Sequence, residues 1–306
     1  MHVVLIPFFL AANVTTLDSR AWLYGAEYAF DVNITHALSD GLLGDALFQT
    51  SVTTTLKCRP KSIDQLLCHF EGITVEDISG GHIELGEIGT PFLIKFSRRG
   101  IEHVGFSSEI NKRKFDIPRK IFKQLSTEMD LSKYANVVLP HLSYAGDKDY
   151  PLNECYSLFV IYELYDSDNP HYRGNREESY DQSKKQNYNL EVMSLPNRNT
   201  DKTVIFEKWT DKRNSRCHPT LQKTMMNFEI DEYISRMSVN NNTFESETRI
   251  SQKVSNNIAK RNFSLQDITF VKLLSIKPAT DPLPSLNFDK FEKLHPAEAM
   301  GKNENN

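Results

Sequence analysis

The sequence predicts a mainly β protein built on one large antiparallel sheet, and two observations support this fold class. Apolar and polar residues alternate over many stretches of the 306-residue chain, which is typical of strands with one buried face. Only one stretch, near residue 120, has apolar residues at helical spacing. A chain of this length can bury a substantial core.

Net charge argues against nucleic-acid binding, and the length of the apolar run argues against a membrane-spanning segment. Charged residues make up 25% of the chain and the formal net charge is −4, so the chain lacks the excess of positive charge that nucleic-acid binding requires. We therefore expect no nucleic-acid partner. We also expect no integral membrane segment, because the one markedly apolar run is too short to cross a bilayer.

That run, Val3 to Ala12, lies at the start of the chain and ends in small residues. Its length is that of a signal-peptide core, so residues 1–16 are predicted to be a signal peptide and the protein to be secreted and extracellular. The alternative, a buried first strand, stays open because only His2 stands where basic residues usually precede such a run.

Two further features agree with secretion. Four cysteines, an even number, suit an oxidising compartment in which disulfides persist. Acceptor triplets for N-linked glycans begin at Asn13, Asn33, Asn241 and Asn262, and the last three are the predicted glycosylation sites.

The clearest strands form a testable hairpin. Apolar and polar residues alternate over residues 22–34 and 48–58, and the same alternation resumes after a turn at residues 66–70. If Cys58 lies opposite Cys68, an antiparallel register brings Leu56 opposite Phe70 on the same face. A Cys58–Cys68 disulfide is therefore predicted, with two buried free thiols as the alternative.

One helix is predicted after these strands. Asp116 can cap it, and Pro118 is tolerated in its first turn. Its apolar core face comprises Ile117, Ile121, Phe122, Leu125 and Met129.

The remaining elements are shorter or polar. Residues 166–202 have almost no apolar periodicity and are predicted to be an exposed polar loop, and residues 278–306 a disordered, linker-like tail. Together these boundaries predict one domain over residues 17–277. The other predicted strands are 92–96, 101–106, 137–142, 156–164, 204–209, 226–230 and 268–276.

Several blocks resemble the N-terminal module of the vitellogenins, members of the large lipid-transfer protein family. Residues 22–28 resemble that module's aromatic–Gly–Tyr opening strand, and residues 274–278 resemble its exit towards a linker. Asn153-Glu154-Cys155 and Cys217 match the paired cysteines that flank an acidic loop in the family. The likeness covers roughly residues 22–284 and implies a Cys155–Cys217 disulfide.

The resemblance also implies a fold and a function. It implies a barrel-like sheet wrapped around one central α-helix, which is physically reasonable because a large antiparallel sheet must curl and an apolar helix can fill it. It implies a secreted lipid transporter or a yolk-type nutrient reservoir. Family members continue into domains that line a lipid cavity, whereas this chain stops after the first module, so bulk lipid carriage is not implied.

A second function therefore stays open: a stand-alone secreted receptor- or protein-binding module that carries no lipid. Expected partners are lipid and a lipoprotein-receptor-type protein. Receptor modules with acidic clusters favour basic runs, which here occupy residues 98–99, 112–114 and 184–185. A solvated charged surface is the plainer interpretation of these runs.

The sequence carries no recognisable catalytic signature, so we expect no enzyme. It has no Gly-x-Ser-x-Gly elbow. The glycines of residues 80–89 are not followed by the Gly-Lys-Ser/Thr that a phosphate-binding loop requires. We expect no cofactor and no metal, because the histidines that could ligate zinc are scattered. These are His36, His69, His82, His103 and His141.

Overall fold

In the part of the chain that it describes, the computed structural model has one large antiparallel sheet, one small sheet and one short α-helix. It describes residues 2–6, 10–14, 19–40, 46–77, 81–84, 90–97, 100–106, 116–127, 129–134, 139–147, 155–165, 188–192, 202–210, 226–256, 261–284 and 291–294. Every strand pair in these ranges is antiparallel, as the prediction of a large antiparallel sheet requires.

Within these ranges the large sheet has 13 strands, in the order β16-β8-β7-β5-β4-β3-β15-β14-β13-β12-β10-β9, with β6 paired to β5. Its strands are β3 (Ala26–Asp40), β4 (Ala46–Ser62), β5 (Gln65–Asp77), β6 (His82–Glu84), β7 (Phe92–Ser97), β8 (Gly100–Phe106), β9 (His141–Asp147), β10 (Cys155–Tyr165), β12 (Lys202–Thr210), β13 (Met226–Val239), β14 (Phe244–Asn256), β15 (Arg261–Pro278) and β16 (Glu292–Leu294).

The small sheet has three strands, β1 (His2–Ile6), β2 (Leu10–Val14) and β11 (Tyr188–Val192), with β2 in the middle. Side chains of β2 and β11 belong to the same buried cluster as those of the large sheet. The two sheets therefore share one core. Residues 2–6 and 10–14 thus form strands, and the assignment of residues 1–16 as a signal peptide stays a prediction.

We call the face of the large sheet that carries Tyr28, Phe30, Val32 and Ile34 the inner face. All four side chains are fully buried, while the residues between them in β3 are partly exposed, as the alternating sequence predicts. Register extends this face across neighbouring strands, because Phe30 lies opposite Leu56 in β4.

Helix α1 (Asp116–Lys123) lies on the inner face and touches strands that are far apart in the sheet order. Its residues and the turn that follows contact both β7 and β14, which four strands separate. A flat sheet would hold those two strands roughly 24 Å apart. A helix of eight residues is only about 12 Å long. The sheet therefore curls towards the helix.

The prediction of a barrel around a central helix is nevertheless wrong in two respects. Among the described strands, β9 and β16 are edge strands that do not pair with each other, so the sheet is open. The helix ends at Lys123 and is not a long central rod. Closure depends on how sheet edges meet, which alternation within single strands does not encode.

The outer face is covered near β4 by the segment that follows β15. Arg59 donates hydrogen bonds from its guanidinium to the carbonyl oxygens of Tyr24, Asp281 and Pro282. Farther along, β16 pairs with β8, and the side chain of Phe291 lies against Gly105. Residues 279–284 and 291–294 thus lie on the sheet, within the predicted disordered tail.

Candidate functional site

The disulfide at the hairpin of β4 and β5 has the register that the sequence predicts. Cys58 pairs with Cys68 and Leu56 with Phe70, and the two sulfurs are bonded. Both cysteines are fully buried on the inner face. The predicted Cys155–Cys217 disulfide stays a prediction: Cys155 begins β10, and Cys217 lies outside the described residues.

Three of the predicted helix-core side chains, Ile121, Phe122 and Leu125, are buried under the curl of the sheet. The ring of Phe122 lies 5.0 Å from that of Phe92 and 6.5 Å from that of Phe106, measured between centroids. Aromatic pairs at these distances add to the free energy gained from burial. The helix is thereby attached to β7 and β8.

The other two predicted core residues lie at the ends of the segment. Met129 follows the helix and packs, partly buried, against the core cluster. Ile117 is in the first turn of α1, and its side chain is outside the described set. The core role of these two residues stays a prediction.

On its other side the helix is attached by hydrogen bonds through Gln124. The Gln124 amide nitrogen donates to Thr248 Oγ1 at 2.8 Å, and its amide oxygen accepts from Ser246 Oγ at 2.8 Å. Thr248 in turn donates to Ser235 Oγ at 3.0 Å. Gln124, Ser246 and Thr248 are all buried, so each bond satisfies groups that would otherwise be costly to bury.

A charged group lies beside this network on the inner face. Lys120 Nζ donates to Asp267 Oδ2 at 3.1 Å, and His36 Nδ1 lies 2.5 Å from Asp267 Oδ1. Burial acts to raise the pKa of Asp267, but the hydrogen bond from His36 and the charge of Lys120 outweigh it and lower the pKa below its ordinary value. The carboxylate therefore stays ionised and ties α1 to β15 and β3.

One small cavity lies on the inner face beside α1. A cavity of about 20 Å³ lies at the end of the helix, between Lys123, Phe159 and Tyr233. That volume holds about one water molecule. The described residues around this cavity therefore leave room there for a water molecule and not for a lipid.

A larger groove of about 240 Å³ lies on the outer face, across β12 to β15. Ile234 and Phe270 supply apolar surface in this groove, which we call the outer groove. Its charged residues alternate in sign across the strands, because Arg236 lies opposite both Glu207 and Glu247. The charged lining residues are Glu207, Arg236, Glu245, Glu247 and Arg249.

Two interactions fix side chains in the outer groove. Tyr162 donates to Glu207 Oε2 at 2.8 Å, and burial followed by this hydrogen bond raises the pKa of Tyr162 to about 12. Arg249 forms an ion pair with Glu247. The groove thus presents ordered charges of both signs around an apolar patch, an arrangement that can recognise a protein surface of complementary charge.

The predicted glycosylation sites have different surroundings. Asn262 is exposed near the start of β15, and Asn241 is partly buried in the turn between β13 and β14. Asn33 is partly buried in the middle of β3, where its Oδ1 accepts from Thr35 and Ser51 at 3.4 Å. Glycosylation at the three positions stays a prediction, and accessibility favours Asn262.

The predicted basic runs at residues 98–99, 112–114 and 184–185 all lie outside the described residues. Within the described part of the chain, no group of three or more His, Cys, Asp or Glu residues could hold a metal ion. None of the helices described there has both the length and the apolar character needed to cross a bilayer.

Sequence reasoning missed the polar residues that attach α1. Neither Gln124 nor Lys120 was among the predicted site residues, and helical spacing gives no sign that they meet polar residues of the sheet. The sequence does contain a pattern that points to the outer groove. Glu245, Glu247 and Arg249 alternate with buried residues, which is typical of a strand with one charged face.

Neither a scan with protein-family models nor a sequence comparison with curated proteins finds a match. The chain is similar to a solved structure of lipovitellin that describes lipid–protein interactions, with a TM-score of 0.52 and 11% sequence identity. The match covers 86% of this chain and 26% of the lipovitellin chain, so this chain spans about a quarter of lipovitellin's length. At 11% identity this similarity shows only that the two chains share a fold.

Proposed function

We propose that the chain is a vitellogenin-like module of a secreted lipid-transport or yolk-type protein. The lipovitellin-like fold, which extends over 86% of the chain, is the observation that carries this proposal. The disulfide between Cys58 and Cys68 supports an extracellular location, because disulfides persist in oxidising compartments. In this proposal the module serves lipid transport or nutrient storage as part of a larger assembly.

The packing of the inner face bears on where the assembly would hold lipid. Residues of β3, β4 and α1 fill the core, and the cavity beside the helix is the size of one water molecule. A lipid that entered beside Lys123 would have to displace the side chains around this cavity. We therefore propose that lipid is held elsewhere in the assembly and that this module makes protein contacts.

A second candidate function is a secreted protein-binding module that acts without lipid. The outer groove favours it, because Arg236 and Arg249 stand among three glutamates around an apolar patch. Such a surface suits a protein partner of complementary charge, a receptor of the lipoprotein-receptor type included. In both candidates the proposed role is binding and not catalysis.

Native mass spectrometry of material captured with an antibody against this chain tests the proposal. Phospholipid in stoichiometric amount in the captured complex is the expected result. A lipid-free complex with a second protein supports the second candidate, and a chain with neither lipid nor partner contradicts both.

A matched pair of variants tests whether the outer groove makes the protein contact. Arg249→Glu reverses a charge inside the groove, and Lys253→Glu makes the same change outside it on the same strand. We expect Arg249→Glu alone to reduce the amount of partner captured. Equal effects from the two variants would exclude the groove as the contact surface.

A further inference from the structure

We infer that the end of the large sheet where β3 begins and β4 ends docks the protein on a lipid surface. In the described part of the chain, the two most exposed large apolar side chains lie at this end: Leu23 is 75% exposed and Ile63 is 74% exposed. The inference goes beyond the proposed function, which gives this module contacts with other proteins, and it does not require that the module carries lipid.

Leu23 and Ile63 lie in two different turns that meet at this end. Strands β3 and β4 are antiparallel neighbours, so the start of β3 and the end of β4 are side by side. Leu23 precedes β3, and Ile63 lies in the turn that joins β4 to β5. Arg59 of β4 donates to the carbonyl oxygen of Tyr24 at 3.1 Å and thereby ties the first turn to β4. We call Leu23, Tyr24 and Ile63 the apolar tip.

Both turns satisfy backbone groups next to the tip from within the protein. In the first turn, the backbone nitrogen of Leu23 donates to the carbonyl oxygen of Arg20 at 3.2 Å. In the second turn, the carbonyl oxygen of Asp64 accepts from the backbone nitrogen of Phe96 at 2.9 Å. The apolar part of a lipid layer offers no water to pair such groups. The tip can therefore enter lipid without leaving these groups unpaired.

Charged side chains lie around the apolar tip. Arg20 and Lys61 are exposed and close to it in the chain. The acidic groups at this end have partners within the protein. Asp64 accepts from Ser62 Oγ at 2.6 Å, and a carboxylate oxygen of Asp281 lies 3.7 Å from a buried guanidinium. Exposed cationic side chains at the base of an apolar tip suit the phosphates of lipid headgroups.

The composition and shape of the tip favour lipid over a protein partner. Leu23 and Ile63 project from the surface and line neither the small cavity nor the outer groove. Protein contacts that dominate binding energy are typically enclosed in pockets, and leucine is under-represented among them. Aliphatic side chains beside an interfacial aromatic residue and basic residues are typical of protein surfaces that enter the lipid interface. Tyr24 is that aromatic residue, and it is 43% exposed.

Flotation of the full chain with vesicles of phosphatidylcholine and phosphatidylserine tests the inference. We expect the chain to float with the vesicles. The double variant Leu23→Asp, Ile63→Asp should bind at least about tenfold more weakly, because it removes two apolar side chains from lipid and adds two carboxylates. The matched control is Leu142→Asp, which changes an exposed leucine of β9 at an edge of the sheet and should bind like the wild type.

A fluorescence measurement locates the contact. The chain has two tryptophans, and Trp209→Phe leaves Trp22, which adjoins Leu23, as the only one. Brominated phosphatidylcholine should quench Trp22 in this protein, and less so when the Leu23→Asp, Ile63→Asp pair is added. Circular dichroism should show the same fold for all variants, since the substituted leucines and isoleucine are exposed.

Three results would overturn the docking surface: no flotation of the full chain, equal binding by the double variant and the wild type, or an equal loss of binding in Leu142→Asp. None of them bears on the proposed function, which is tested separately by the composition of the captured complex.

Discussion

The two halves of the inner face are built on different chemistry. Around β3, β4 and β5 the face is apolar, with Phe30, Val32 and Leu56 fully buried beside the Cys58–Cys68 disulfide. We call this the apolar half. Around β13 and β14 the same face carries the buried polar residues Ser246 and Thr248 beside buried Met237 and Phe244, and we call it the polar half.

Helix α1 meets each half through a different side chain. Phe122 packs on the rings of Phe92 and Phe106 beside the apolar half, whereas Gln124 bonds the hydroxyls of the polar half. Burial is non-directional and tolerates small shifts, while buried hydrogen bonds require one geometry. The apolar half therefore supplies stability, and the polar half fixes where the helix lies.

Phe122→Ala should have the largest effect, because it removes the side chain that joins α1 to the apolar half. We expect the free energy of unfolding to fall by about 3–5 kcal/mol, as for other buried phenylalanines. Urea unfolding followed by circular dichroism measures it. Lys133→Ala, at an exposed position, is the control and should change little. An equally small effect of Phe122→Ala would show that the helix is not part of this core.

Removal of the disulfide tests the apolar half without touching the helix. Replacing both Cys58 and Cys68 with Ala should lower the free energy of unfolding by about 2–3 kcal/mol, since the bridge closes a short loop in the unfolded chain. The same unfolding experiment under oxidising and reducing conditions measures it. The wild-type protein should lose more stability on reduction than the variant, in which only Cys155 and Cys217 remain to be reduced.

Gln124→Ala tests the polar half. It leaves the buried hydroxyls of Ser246 and Thr248 without their partner, which should cost about 1–3 kcal/mol. A double-mutant cycle with Ser246→Ala isolates the contact, and its coupling energy should exceed about 0.5 kcal/mol. Additive effects of the two substitutions would contradict the hydrogen bond.

Acidification should weaken the link between α1 and β15. Because the folded-state pKa of Asp267 is lowered, its ion pairs stabilise the fold above the unfolded pKa of about 4 and are lost as pH falls through the folded value. Asp267→Asn removes this dependence while keeping the shape of the side chain. Unfolding measured from neutral to acidic pH should show the two proteins converging at low pH.

The smallest effect is expected from a pair on the outer surface. Lys57 and Glu71 lie 2.9 Å apart and are partly exposed, and the hydrogen bond with Glu71 raises the pKa of Lys57. Glu71→Gln should cost less than about 1 kcal/mol, because solvent screens such pairs. A cost as large as that of Gln124→Ala would remove the distinction between surface contacts and the polar half.

The same contrast explains which strands the sequence could predict. Strand β3 was predictable because every second residue from Ala26 to Ile34 is apolar and buried. The alternation of apolar residues missed strand β14 because its inner face carries Ser246, Thr248 and Gln252, so burial there has no hydrophobic signature. Five-residue β11 was also missed, since it is short and lies within a polar stretch.

Irregularities hid the full length of other strands. Register shifts between Leu273 and Ser275 in β15, and between Ile230 and Glu232 in β13, move side chains from one face to the other. A pattern that counts every second residue ends at such a point. The predicted strand at residues 226–230 accordingly ends at the shift, whereas β13 continues to Val239. The predicted strand at residues 268–276 runs across its shift and is shorter than β15 because it begins after Arg261.

The most direct test of the two-half account is residue-resolved native hydrogen exchange of the wild type and of Gln124→Ala. We predict that the substitution lowers protection first in β13 and β14, while the amides of β4 and β5 keep theirs. Equal loss of protection in both halves, or none in either, would contradict the claim that Gln124 holds the polar half to the helix.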